Sequence, residues 1–121
     1  MKEIKFSKKH IWVCKDGEKV KVGISNYAQD KLGNVLFLNL PDCGEIVQIG
    51  KAFGDIESVK TVSDLISPVN GRVISVNEEL VEEPDSINEN PYEAWFIEVL
   101  IDEENNDLMT EAEYKEYVEK L

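Results

Sequence analysis

Polar and apolar side chains alternate in Lys19-Val20-Lys21-Val22, the pattern of a strand with one wet face and one buried face. Ile11 to Cys14 and Lys19 to Ile24 flank Lys15-Asp16-Gly17-Glu18, and Asp-Gly between two apolar runs predicts a β-hairpin. Ser25 to Gly33 reads instead as a short helix. Ser25 suits its N-cap, Ala28 and Leu32 share a face, and Gly33 suits the left-handed position after the last turn. Asn34 to Leu40 is a strand run ended by Pro41-Asp42, and Glu45-Ile46-Val47-Gln48 is a short strand leading into an Ile49-Gly50 turn.

Ala52 to Ile56, Val62 to Ile66 and Arg72 to Val76 predict three more strands, around a corner that holds Lys60 and a tight turn at Asn70-Gly71. Glu78 to Asn90 is acidic and broken by Pro84, and reads as an irregular segment with one short helical turn. Trp95 to Ile101 is a last apolar strand. Thr110-Glu111-Ala112-Glu113 fits a capping box, and Tyr114, Tyr117, Val118 and Leu121 then fall on one helical face, expected to pack on a sheet. Short strands at close spacing point to a mainly β fold, a sandwich or a barrel, with a few short helices including one at the C-terminus.

Composition narrows the function. The chain has 121 residues, enough to bury a core without disulfides or metals, and shows no linker, low-complexity tract or tandem repeat. A single domain over 1–121 is expected. Asp and Glu number 25 against 13 Lys and Arg, for a formal net charge of −12. That balance argues against binding nucleic acid or an anionic membrane and favours partners with basic surfaces. No apolar run approaches the ~20 residues needed to span a bilayer. Met1-Lys2-Glu3-Ile4-Lys5-Phe6 has neither the apolar core of a signal peptide nor Arg-rich transit character, so a cytoplasmic location is expected.

Cys14 and Cys43 are the only cysteines, far apart and without ligand-spaced histidines, so no zinc site is supported and free, partly buried thiols are expected. His10, the single histidine, has no serine-type motif or titratable partner nearby in sequence and reads as structural. The chain offers no nucleophile with a base, no metal-ligand cluster and no Gly-rich phosphate loop, so an enzyme with its own active site is not supported.

Lys60 lies within Gly54-Asp55-Ile56-Glu57-Ser58-Val59-Lys60-Thr61-Val62-Ser63-Asp64-Leu65-Ile66-Ser67-Pro68-Val69-Asn70-Gly71. Strand, corner, strand places its amine at an exposed hairpin corner, where an enzyme could reach it. A lysine there is ordinarily a solvated charge that discourages edge pairing. The wording of the segment adds more. Glu57-Ser58-Val59-Lys60, followed by Asp64, Ser67-Pro68 and Gly71, closely resembles the lipoyl-lysine segment of the H protein of the glycine cleavage system. The resemblance continues through His10-Ile11-Trp12-Val13, the block from Val22 to Gly33, Leu40-Pro41, Val76-Asn77, Ile87-Asn88-Glu89-Asn90-Pro91-Tyr92 and Trp95.

The resemblance implies a lipoyl-type barrel-sandwich hybrid, two packed sheets with a few helices. It implies lipoic acid attached as an amide to Lys60, an arm shuttling an aminomethyl group among glycine decarboxylase (the P protein), aminomethyltransferase (the T protein) and dihydrolipoyl dehydrogenase (the L protein). Lipoate-attaching enzymes are further implied partners, and a monomer is expected. It assigns Glu57 to recognition by those attaching enzymes and Asp64 to the cleft that shelters the loaded amine. Gly71 is expected to supply a backbone conformation other residues resist. Ile11 stands where the family has a glutamate that helps hold the aminomethyl nitrogen, so half of that clamp is missing. This motivates an alternative, an H-like lipoyl carrier serving lipoate relay or assembly, or another lipoate-dependent pathway, without aminomethyl transfer. An unmodified interaction domain is a third reading, against which Glu57, Lys60 and Gly71 stand intact. Biotin is disfavoured because Val59 and Thr61, rather than methionines, flank the lysine.

Overall fold

The computed structural model describes residues 3–103 and 107–121. Met1 and Lys2, which open the stretch read above for a targeting signal, lie outside the described residues. In chain order the strands are β1 (Ile4–Phe6), β2 (Ile11–Asp16), β3 (Lys19–Ile24), β4 (Val35–Asn39), β5 (Ile46–Val47), β6 (Ala52–Ser58), β7 (Val62–Ile66), β8 (Asn70–Val76) and β9 (Ile97–Glu103). The helices are α1 (Asn26–Leu32), α2 (Glu78–Glu82), α3 (Ser86–Glu89) and α4 (Glu111–Glu119). Six strands form one antiparallel sheet in the order β1-β2-β3-β9-β8-β5, and β4-β6-β7 form a second.

Alternation builds the core. Val13, Val20, Val22, Val73 and Val99 of the larger sheet meet Val35, Leu38, Ile56 and Leu65 of the smaller one in a single buried cluster. Each such side chain withdrawn from water contributes roughly 1.5–3 kcal/mol. The sandwich of two packed sheets is therefore the observed architecture.

Several boundaries move. The expected first hairpin forms and turns at Gly17-Glu18, with β2 running past Cys14 to pair Asp16 with Lys19 and leaving Gly17, at φ 66°, to take the bend. No tight turn forms at Asn70-Gly71: both residues begin β8, and the chain changes sheets at Ser67–Val69 instead. There Ser67 Oγ donates to Val69 O (2.7 Å) and accepts from Val69 N (3.3 Å), supplying the local turn chemistry. Glu78 to Asn90 holds two short helices, α2 and α3, separated at Pro84. The final strand begins at Ile97, after Trp95. Strand β1 gave too short a signal to be read; it is held by pairing with β2 and by mutual backbone bonds between Phe6 and Met109 (2.8 and 2.7 Å).

Helix α4 carries the expected capping box, Thr110 and Glu113 exchanging side chain–backbone bonds. Its Tyr114 stacks on Phe6 with ring centroids 4.3 Å apart and packs with Trp12 in a second buried cluster that Tyr117 and Val118 cover. Leu121, expected on the same face, lies past the helix end and is 64 % exposed.

The Tyr114 hydroxyl sits 2.7 Å from His10 Nδ1 and 2.7 Å from Ser25 Oγ, which in turn accepts from Ala28 N as the cap of α1. The structural reading of His10 fits this place. Burial, then the Lys9 charge, hold the His10 pKa below its ordinary 6.5. Burial pushes Tyr114 up to about 12 from 10.0, against the opposing hydrogen bond from Ser25. The two shifts have opposite consequences for pH dependence. With His10 depressed, the unfolded chain takes the proton first, so stability falls as pH drops through 6.5 toward the lower folded value. With Tyr114 raised, the unfolded chain loses its proton first, so stability also falls as pH rises from 10.0 toward about 12. Urea unfolding across pH is expected to show both limbs. Tyr114→Phe is expected to flatten the alkaline limb while costing about 1 kcal/mol at neutral pH. An unchanged alkaline limb in that variant would remove Tyr114 as its source.

Candidate functional site: the Lys60 hairpin

Strands β6 and β7 pair down to Glu57 opposite Val62, and the chain turns through Val59-Lys60-Thr61. Ser58 closes this turn. Its backbone N donates to Thr61 O (2.8 Å), and its Oγ accepts from the backbone N of Lys60 and of Thr61 (3.2 Å each). The side chain is buried, so these bonds compete with little water.

A second set of bonds holds the turn from outside the hairpin. Val59 N donates to Asn34 O (3.0 Å). Asn34 is itself bracketed, because Asn88 on α3 donates from Nδ2 to Gly33 O (2.8 Å) and accepts at Oδ1 from Val35 N (3.0 Å). The same Nδ2 reaches Gln29 Oε1 on α1 (3.0 Å), and Ile87, with no exposed surface, anchors α3 beneath. Gly33 has φ 77° and ψ −157°, a conformation that a side chain resists. A Cβ there would lie 3.4 Å from Lys60 Cε and 3.8 Å from Cδ, so the lysine stem runs over the bare glycine. The result is an exposed lysine on a backbone fixed at two places.

Glu57 is half-buried on β6, between Phe37 of β4 and Val62 of β7. Two residues further from the tip, Asn39, Asp55 and Asp64 form the next row on the same outer face, with Asn39 Nδ2 donating to Asp55 Oδ1 (2.7 Å). Asp64 is exposed there. Glu57, Lys60 and Asp64 thus belong to one end of the smaller sheet. Gly71 does not: it is buried in β8 of the other sheet, and its φ is not positive. The expectation of an unusual conformation is corrected, since what the position needs is space. A Cβ on Gly71 would collide with the Leu100 carbonyl oxygen and lie 2.7 Å from Val99 Cγ1. Ile11 is 1 % exposed within the main core, paired with Ile24.

Ser58 and Asn88 fix the tip, and neither announces that role in the sequence although both lie in the quoted motifs. A small hydroxyl two residues before the lysine was the only local signal. Cys14 is partly buried and Cys43 exposed, and both are free. Among the described residues no group of three or more His, Cys, Asp or Glu could hold a metal ion, and no helix is long and apolar enough to cross a membrane.

Comparison with known proteins accords with this geometry. Residues 4–121 match the family model described as Glycine cleavage H-protein. The chain is 46% identical over 119 residues to the glycine cleavage system H protein of Halalkalibacterium halodurans, covering 96% of the chain and 93% of that protein. It is 44% identical over 119 residues to the H protein of Staphylococcus carnosus, covering 96% and 94%. The crystal structure of a glycine cleavage system H protein from Mycobacterium marinum is similar with a TM-score of 0.91 at 35% identity, over 97% of each chain.

Proposed function

The chain belongs to the glycine cleavage H-protein family, and from that premise we propose that Lys60 is the residue through which it carries a lipoyl group. The protein is a lipoyl carrier of glycine cleavage, a component with no catalytic centre of its own. One observation carries the assignment: an exposed primary amine stands at the apex of a hairpin whose backbone is held at Ser58 and at Asn34. The residues present fit such a group. Gly33 leaves room along the lysine stem, and Lys60 is exposed, as acylation of its amine needs. When bound, a lipoyl amide supplies a cyclic disulfide that exchanges with thiols and takes up two electrons.

The chain's own residues do three things around that group. Ser58 and Asn34 fix its origin. Glu57 and Asp64 keep the surface beside it acidic, Glu57 serving enzymes that attach the group and Asp64 a bound ammonium. The sheet sandwich holds the apex away from the core, so that glycine decarboxylase, aminomethyltransferase and dihydrolipoyl dehydrogenase each reach it.

Ile11 favours a second reading. Fully buried and apolar, it offers no acceptor where the family resemblance calls for a glutamate, which suits a carrier serving lipoate relay or another lipoate-dependent pathway. Intact mass and peptide mapping of protein from lipoate-replete cells test the assignment: a gain of one lipoyl amide on Lys60 is expected, and a bare Lys60 overturns it. Incubating the lipoylated protein with decarboxylase, pyridoxal phosphate and glycine separates the two readings. A glycine-dependent mass gain supports the first, and none, where another H protein gains mass, supports the second.

A further inference from the structure

The outer face of the smaller sheet departs from ordinary alternation at the Lys60 end of β4. A β-bulge between Val35 and Phe37 breaks the register of β4 on β6. Val35 is buried, and so is Leu38, but the two residues between them both face outward: Leu36 is 45% exposed and Phe37 60% exposed. Bulges re-aim side chains beside functional sites. Phe37 stands opposite Glu57, and Glu57 opposite Val62, which is 59% exposed, so the three form one row across the sheet. Val59, also 59% exposed, sits next to Lys60 and is tied to Asn34 at the base of β4. Four large apolar side chains thus lie exposed at the end of the sheet that carries the lysine.

Apart from Lys60, the charges in the neighbouring rows are all negative. Glu57 lies within the apolar row, and Asp55 and Asp64 form the row behind it on the same face. Lys60 is the only cation in these two rows and the turn that joins them, and acylation of its amine would remove that charge. The face is then apolar at its centre and acidic at its rim. A second copy of this chain would bring the same acids against them, and an anionic membrane would be repelled.

We propose that Leu36, Phe37, Val59 and Val62 form a docking surface for the enzymes that act on the Lys60 arm, with Phe37 as its anchor. The occupant is a protein surface with an apolar depression ringed by Lys and Arg side chains, set beside the opening that admits the lysine. The inference rests on the carrier reading of Lys60. An exposed aromatic at the centre of a patch, with charged neighbours at the rim, is the arrangement in which one residue dominates affinity and the rim sets the encounter rate.

The test uses the whole unmodified protein with a lipoate–protein ligase, lipoate and ATP, following lipoyl-Lys60 by mass. Phe37→Ser is expected to raise KM about tenfold or more with kcat and melting temperature kept, and Leu36→Ser, a second variant, to raise it in the same direction. The wild-type rate at low substrate is expected to fall with added salt, and Asp55→Lys with Asp64→Lys to lower it further at low salt. Leu121→Ser, exposed at the other end of the chain, serves as the control and is expected to match wild type. KM values for Phe37→Ser and Leu36→Ser within twofold of wild type, with wild-type Lys60 modified normally, overturn the docking surface alone. Failure of wild-type Lys60 to be modified overturns the carrier reading instead. A wild-type dimer in solution that Phe37→Ser converts to monomer also overturns the proposal, assigning the patch to a second copy.

Discussion

Replacing Lys60 with arginine is expected to abolish lipoyl attachment and with it all carrier activity, while leaving the fold untouched. Arginine keeps the positive charge and the length, but its guanidinium stays protonated and is no nucleophile toward an activated acyl group. The turn does not depend on the side chain, because Ser58 bonds only the backbone of Lys60 and Thr61. The lysine is exposed and its stem rests on a glycine, so thermal stability is expected to change by less than about 0.5 kcal/mol. Intact mass after co-expression with a lipoate–protein ligase reads the first effect and thermal unfolding the second. A lipoyl mass gain in the variant would move the attachment point elsewhere.

Gly71→Ala is expected to produce a large loss of stability from a single methyl group. Strand β8 is flanked by β5 and β9, and Gly71 pairs with both Val47 and Ile101. The new Cβ would meet the Leu100 carbonyl oxygen and, at 2.7 Å, Val99 Cγ1, with the Leu100 carbonyl carbon at 3.0 Å. Backbone on one side and a fully buried valine on the other leave little room to yield. Overpacking of this kind costs about 3 kcal/mol, enough to lower the melting temperature by roughly 10 °C. Thermal unfolding checks it. A shift of only a degree or two would mean that β8 and β9 separate readily at this register.

The contrast between these two residues marks what the sequence made legible. Lys60 is legible at a hairpin apex because the strands on either side announce themselves locally, by runs of apolar residues. The caps at Ser25 and Thr110 are legible for the same reason: each is a side chain bonding its own backbone three residues on. Gly71 reads as a turn residue because Asn-Gly is a turn signal wherever it stands, and only pairing with β5 and β9 decides otherwise. That β7 joins β6 while β8 joins β9 is a long-range choice that no short window contains. Asn88 is harder still. Its three bonds reach residues more than fifty positions away, and nothing in Ile87-Asn88-Glu89 distinguishes a brace from a surface amide. The re-aimed Phe37 was hidden likewise, since the run from Val35 to Leu38 reads as continuous strand until the bulge is seen.

The two-sided anchorage of the turn settles where motion resides. With the peptide units of Val59, Lys60 and Thr61 all hydrogen-bonded, the hinge of the arm begins at the lysine's own χ angles. A tether swung from a stationary pivot explores a volume set by its length, so the effective concentration it presents is a property of the arm and not of a breathing loop. Every partner then meets the same origin. On the carrier reading proposed for Lys60, their active sites, however different in chemistry, share one constraint: a common depth between the surface that meets the hairpin and the atom that reacts.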